Sequence, residues 1–176
     1  SHLANGSFYR SLLFGWFYLG TVAPEWQMPA SSPLSLPLLA GAGLVLTLGA
    51  AWLARLVRRL QRGSDAGLGG GMYLTAGLGA LQAMLLGVAI WQAPLAPSET
   101  AHDATLLVAL IYVLIHALLG AVLCLLQGLR VGYGYVGAEA PMEPVVVLRL
   151  WSYNLVVYWS LFAAIWLLPV LLGGTS

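Results

Sequence analysis

His116 is the one histidine inside an apolar stretch of this 176-residue chain; His2 and His102 lie near an end and in a loop. A single imidazole cannot supply both axial ligands of a haem or complete a copper site. On a face of small residues its expected role is a hydrogen bond to a neighbouring helix, with a proton relay or a lipid-headgroup contact as alternatives. Glu99, His102 and Asp103 could hold a weak cation, but hydrated loop residues of this kind are far commoner. The string Val131-Gly132-Tyr133-Gly134 imitates a potassium-channel filter, whose backbone carbonyls replace the ion's hydration shell. A filter needs a short pore helix and a threonine before it. Here a full-length helix precedes the string and Arg130 takes the threonine's place, so glycine and tyrosine at an interface explain it better. Cys124, between Leu123 and Leu125, is the lone cysteine. It reads as a small helix residue, with no disulfide and no thiolate metal site. No Ser/His/Asp arrangement, phosphate loop or paired carboxylate falls within a helix. The expectation is a chain that is non-catalytic by itself and binds no metal.

The elements that carry these residues are apolar. Hydrophobic residues make up 60% of the sequence and charged ones 7%, so the long stretches must face lipid. The formal charge is +1, with no basic face for nucleic acid and no acidic tail. No secretory signal or cleavage site is visible at the start.

Five spanning helices are expected, forming an all-α integral membrane bundle over residues 1–176, with spans of roughly 3–22, 36–60, 72–92, 104–129 and 147–172. Asn5, Ser7 and Arg10 interrupt the first, whose beginning is expected to be truncated, as in a fragment of a longer chain. Pro24, Trp26, Pro29 and Pro33 mark an irregular loop with an interfacial tryptophan. Gly63 to Gly71 reads as a turn, and 132–144 as a broken loop carrying Glu139 and Glu143. All seven cationic residues are arginines, and cytoplasmic loops collect such charge. Arg55, Arg58, Arg59, Arg62, Arg130 and Arg149 all fall on one side under alternating topology. That side is expected to be the cytoplasm of a bacterial inner membrane, with the N-terminus cytoplasmic and the C-terminus periplasmic. Arg10 must then snorkel or find a partner.

Lipid tails are as apolar as leucine, so helices associate through close backbone packing and polar contacts. Spacing by four keeps residues on one face. The third expected span carries Gly71, Thr75, Gly79, Ala83 and Gly87 at that spacing. The second carries Pro37, Gly41, Val45 and Gly49, and the fourth His116, Gly120, Cys124 and Gly128. Each stripe is a candidate seam.

The order of features resembles subunit III of haem-copper cytochrome c oxidases, particularly the version fused behind subunit I. Trp16-Phe17-Tyr18-Leu19 followed by Pro24-Glu25-Trp26 is similar to the end of that family's aromatic helix and its Trp-Pro loop. Pro37-Leu38-Leu39 stands where the family reads Pro-Leu-Leu-Asn-Thr, and that helix ends in a basic patch in both. Leu78-Gly79 is similar to the family's Leu-Gly. His116 and Gly120 match the last two landmarks of His-x-x-His-Val-x-x-Gly. Tyr158-Trp159 and Trp166 match those of Tyr-Trp-His-Phe-Val-Asp-x-x-Trp.

The chain also departs from the pattern. Asn5 and Ala89 stand where glutamates are common, Val113 replaces a histidine, and Ser160 and Ala163 replace a His and an Asp. The resemblance implies a supporting subunit that holds neither haem nor copper, both of which sit in subunit I. It implies packing on subunit I, with subunit II in the complex, and phospholipid in a cleft between helices. It also implies support of sustained, proton-pumping oxygen reduction. Arg10, His116 and Trp26 are the candidate lipid contacts, and Trp159 and Trp166 join Gly71, Thr75, Gly79, Ala83, Gly87 and Gly120 as packing residues. Competing readings are a subunit-III-like accessory protein of nitric oxide reductase, a small transporter or channel unit, and an assembly protein.

Overall fold

The computed structural model describes residues 34–98, 101–137 and 142–173, with side chains given from 103 onward in the second segment and up to 166 in the third. These residues form four helices: α1 (Leu36–Gln61), α2 (Leu68–Gln92), α3 (Ala101–Gly132) and α4 (Met142–Gly173). All four are long and apolar enough to cross a membrane. The first expected span, 3–22, and the loop with Trp26 lie outside the described residues.

The helices run up, down, up, down. Gly41 faces Leu85 while Gly71 faces Leu56, which makes α1 and α2 antiparallel. Gly79 against Ala121 and Gly128 against Tyr73 do the same for α2 and α3. Each helix packs on the next, and α4 closes the ring on α1. Short connections between antiparallel neighbours favour this arrangement. Large apolar side chains remain on the outside: Leu48 is 63% exposed and Trp91 90%. In water such a surface would associate; in a bilayer it meets acyl chains. Trp91 at one end, and Tyr133 and Tyr135 at the other, stand where amphipathic rings favour the lipid–water boundary.

The helix ends explain two stretches that mislead in the sequence. After α1, the Ser64 N–H donates to the Arg59 carbonyl and the Gly63 N–H to the Leu60 carbonyl. Gly63 takes φ +80°, a left-handed conformation that costs glycine nothing. The same pair of bonds ends α3, from Tyr135 to Arg130 and from Gly134 to Val131, with Gly134 at φ +76°. The filter-like string is therefore a helix C-cap that satisfies carbonyls otherwise left bare.

The glycine-rich turn is shorter than expected, because Gly69, Gly70 and Gly71 already belong to α2. Glycine is a poor helix former; Gly70 faces open space, but Gly71 and Gly69 lie under side chains of α1 and α3. A Cβ at Gly71 would lie 2.8 Å from Leu56 Cδ2, and one at Gly69 would lie 3.3 Å from Val131 Cγ1. Likewise α4 begins at Met142 rather than near 147. Pro144 sits in its first turn, where a missing N–H has no intrahelical partner to lose.

Candidate functional site

The centre of the bundle is built around Trp151 of α4, which is 3% exposed. Its indole fills a socket made by three glycines on the three other helices. A Cβ at Gly49 of α1 would lie 2.9 Å from Cη2 and closer still to Cζ3. One at Gly79 of α2 would meet Cζ2 at 3.3 Å, and one at Gly120 of α3 would meet Nε1 at 3.1 Å. Three glycines are thus the complement of one large planar ring, and all four helices are tied at one level.

Of the expected packing residues in α2, Gly71 and Gly79 are closely approached, and Thr75 and Ala83 are buried. The Thr75 hydroxyl donates to the Gly71 carbonyl at 2.8 Å, which satisfies it within its own helix. Gly87 differs. An added Cβ there meets nothing within 4 Å, so the seam ends at Ala83, where the neighbouring helix no longer lies over the stripe.

On α1 the seam is displaced: Pro37 is exposed and Gly41 has only ordinary contact with Leu85. The buried face runs through Leu39, Ala42, Leu46, Gly49 and Leu53, and includes Gly43. A Cβ at Gly43 would be 2.8 Å from Tyr158 Cε1 and 2.9 Å from Trp159 Cζ2. The α3 stripe is buried throughout, with Cys124 0% exposed and Gly128 under Tyr73.

His116 lies on α3 and is 8% exposed. Its Nδ1 is 2.8 Å from the Tyr112 carbonyl. A carbonyl only accepts, so Nδ1 carries the hydrogen. The ring packs 4.2 Å from that of Tyr112, and the Tyr112 hydroxyl lies 2.8 Å from the Tyr153 hydroxyl on α4. His116, one of the three expected lipid contacts, lies near the middle of its span, about 20 Å from either end at 1.5 Å per residue. Arg10 and Trp26, the other two expected lipid contacts, lie outside the described residues.

Two residues that the sequence reading passed over complete this layer. Gln82 of α2 is 0% exposed and Asn154 of α4 is 4% exposed. Neither the two amide atoms of Gln82 nor Asn154 Oδ1 has a hydrogen-bond partner among the described residues, and Trp151 lies beside the Cys124 thiol. Together with His116, Ala117, Gly120 and Leu150, the residues Gln82, Asn154 and Trp151 line one cleft. A glutamine on a leucine- and alanine-rich helix was the available signal, since a polar side chain deep in a membrane is costly and needs a reason.

At the arginine-bearing end, Glu143 at the start of α4 takes two partners from α3. Arg130 Nη2 lies 3.0 Å from Oε1, and Gln127 Nε2 donates to Oε2 at 3.1 Å. The pair is half exposed and worth little by itself. Toward the opposite end of α1, the Tyr158 hydroxyl donates to the Leu39 carbonyl, and at mid-helix Trp159 Nε1 donates to Thr47 Oγ1 at 3.1 Å. Trp159 packs edge-on against Phe162 at 5.3 Å, and Phe162 leads to Trp166 at 6.3 Å. Among the described residues no group of three histidine, cysteine or carboxylate side chains could hold a metal ion.

No protein-family model matches the chain, and no curated protein matches it.

Proposed function

We propose that this chain is a supporting, non-catalytic subunit-III-like domain of a bacterial haem-copper terminal oxidase. It docks on subunit I, sits in a complex with subunit II, and contributes to sustained proton-pumping oxygen reduction. One juxtaposition carries the reading. Pro37-Leu38-Leu39 and Tyr158-Trp159 are two of the segments on which the family resemblance rests, and they are far apart in the sequence. In the fold they meet, through the Tyr158 hydroxyl on the Leu39 carbonyl and through Gly43 beneath both aromatic rings. Residues that carry a resemblance by packing on each other support a shared fold more strongly than the same residues scattered.

In this reading the arginine-bearing end faces the cytoplasm, phospholipid binds against the bundle, and Arg10, outside the described residues, is the expected guanidinium for a headgroup phosphate. The haems and copper belong to subunit I. The test is purification of the tagged full-length protein from its native membrane in mild detergent. A haem-copper oxidase core should accompany it, with haem spectra and bound phosphorus. A nitric oxide reductase core, or no haem protein at all, would replace this proposal with one of its competitors.

A further inference from the structure

Of the six arginines at one end of the bundle, four belong to the last two turns of α1. Arg55, Arg58, Arg59 and Arg62 stand at i, i+3, i+4 and i+7, which is one helix face, and all four are exposed. The same face continues along the helix through Ala51, Trp52, Leu48 and Leu44, which are exposed as well. The opposite face, with Leu46, Leu53 and Val57, is the one buried in the bundle. One outward stripe is therefore apolar over most of its length and cationic at its end.

Depth fits that division. At 1.5 Å per residue α1 is about 39 Å long, against a hydrocarbon core of about 30 Å. About six residues project beyond the core, and the arginines occupy that excess, starting one turn past Trp52. Their charge is uncompensated. Arg130 is paired with Glu143 at 3.0 Å, but none of the four α1 guanidiniums has a carboxylate partner among the described residues. Asp65, the one carboxylate between α1 and α2, lies beside Gly137, past the end of α3.

We propose that this stripe binds an anionic phospholipid, with the acyl chains along Leu44, Leu48 and Trp52 and the phosphate held by Arg55 and Arg59. The site is separate from the one expected of Arg10 and does not depend on the oxidase reading. Arg55 and Arg59 lie on successive turns of one face, so both can close on a single phosphate. Every cationic side chain in the sequence is an arginine, whose planar fork matches two phosphate oxygens where a lysine offers a point charge. Four such residues directly at the end of a spanning helix form the pattern that anionic leaflets attract. A zwitterionic lipid brings a cation of its own to four unpaired guanidiniums, so the selection is for a net negative headgroup. An acidic soluble partner would match the arginines but leave the apolar part of the stripe, at bilayer depth, unexplained.

The full-length protein is released for native mass spectrometry from micelles holding equal amounts of phosphatidylglycerol and phosphatidylcholine with identical chains. Wild type should retain phosphatidylglycerol in preference. Each arginine near an anionic surface is worth roughly a fivefold gain, so Arg55→Gln with Arg59→Gln should lower the retained ratio by about tenfold or more. Arg149→Gln, exposed at the same end but on α4, should leave the ratio nearly unchanged. No preference in wild type, or an unchanged ratio in the double variant, overturns the proposal. An equal fall in Arg149→Gln overturns it too, because the charge then acts diffusely. A map of wild type in phosphatidylglycerol nanodiscs gives a readout independent of the variants. Density along Leu44, Leu48 and Trp52, ending within about 3 Å of the Arg55 or Arg59 guanidinium, is expected. A stripe covered instead by residues 3–22 or by another protein overturns the proposal.

Discussion

Gly49→Ala adds one methyl group where α1 lies against the Trp151 ring of α4. The new Cβ would stand 2.9 Å from Trp151 Cη2 and closer to Cζ3, an overlap of about 1 Å with normal carbon–carbon contact. Retreat of the indole is limited by α2 and α3, where Gly79 and Gly120 leave room for the ring but little for a Cβ, which would lie 3.3 and 3.1 Å from it. Relief must come from moving α1 away from α4, which loosens contacts along the whole seam. Overpacking of this kind costs about 1–3 kcal/mol, and the three-sided confinement places this case at the upper end. Gly87→Ala is the matched control. It meets nothing within 4 Å and gains up to about 1 kcal/mol from replacing a helical glycine. Cys124 provides the assay: it is the chain's lone cysteine, fully buried, and lies alongside Trp151. Labelling by a thiol-reactive dye during a thermal ramp reports opening of the bundle. Gly49→Ala should label at a lower temperature than wild type, and Gly87→Ala at the same or a higher one. Adding Trp151→Phe to Gly49→Ala should recover part of the loss, by the logic of a double-mutant cycle. Equal midpoints for the two glycine variants would refute the socket.

Further tests follow from the other seams. Gly79→Leu should cost about 1–3 kcal/mol by driving α2 off Ala121 and Trp151, while exposed Ala80→Leu should be nearly neutral in the same labelling assay. Tyr158→Phe removes the hydroxyl that reaches the Leu39 carbonyl and should lower stability by about 1 kcal/mol, with a larger loss when that carbonyl stays buried. With Cys124 replaced by Ala, a cysteine at Ser98 should react with a membrane-impermeant maleimide in intact cells and one at Ser64 should not. The reverse pattern would invert the orientation while leaving the helix count unchanged.

The sequence made the four described helices legible because lipid demands long uninterrupted apolar runs, and the six arginines of the described residues fall at one end of the bundle because the helices alternate in direction. The α3 stripe was legible too, since four-residue spacing survives directly into a helix face. What failed to show depends on partners. Gly87 continues the α2 stripe in sequence, yet whether anything lies over it is decided by where α3 and α1 run. Gly43 and Gly49 look alike as small residues, and only Tyr158, Trp159 and Trp151 give them their roles. Gln82 and Asn154 are isolated polar residues on separate helices. Their common level emerges only when the spans are aligned side by side.

Removing this chain from the oxidase complex proposed above tests the central claim most directly. Oxygen consumption is followed from the first turnovers until activity is lost, and haem content is checked in parallel. A supporting subunit predicts an initial rate close to that of the intact complex and a markedly shorter working life. Loss of oxygen reduction from the first turnover, with the haems of subunit I still in place, would contradict it.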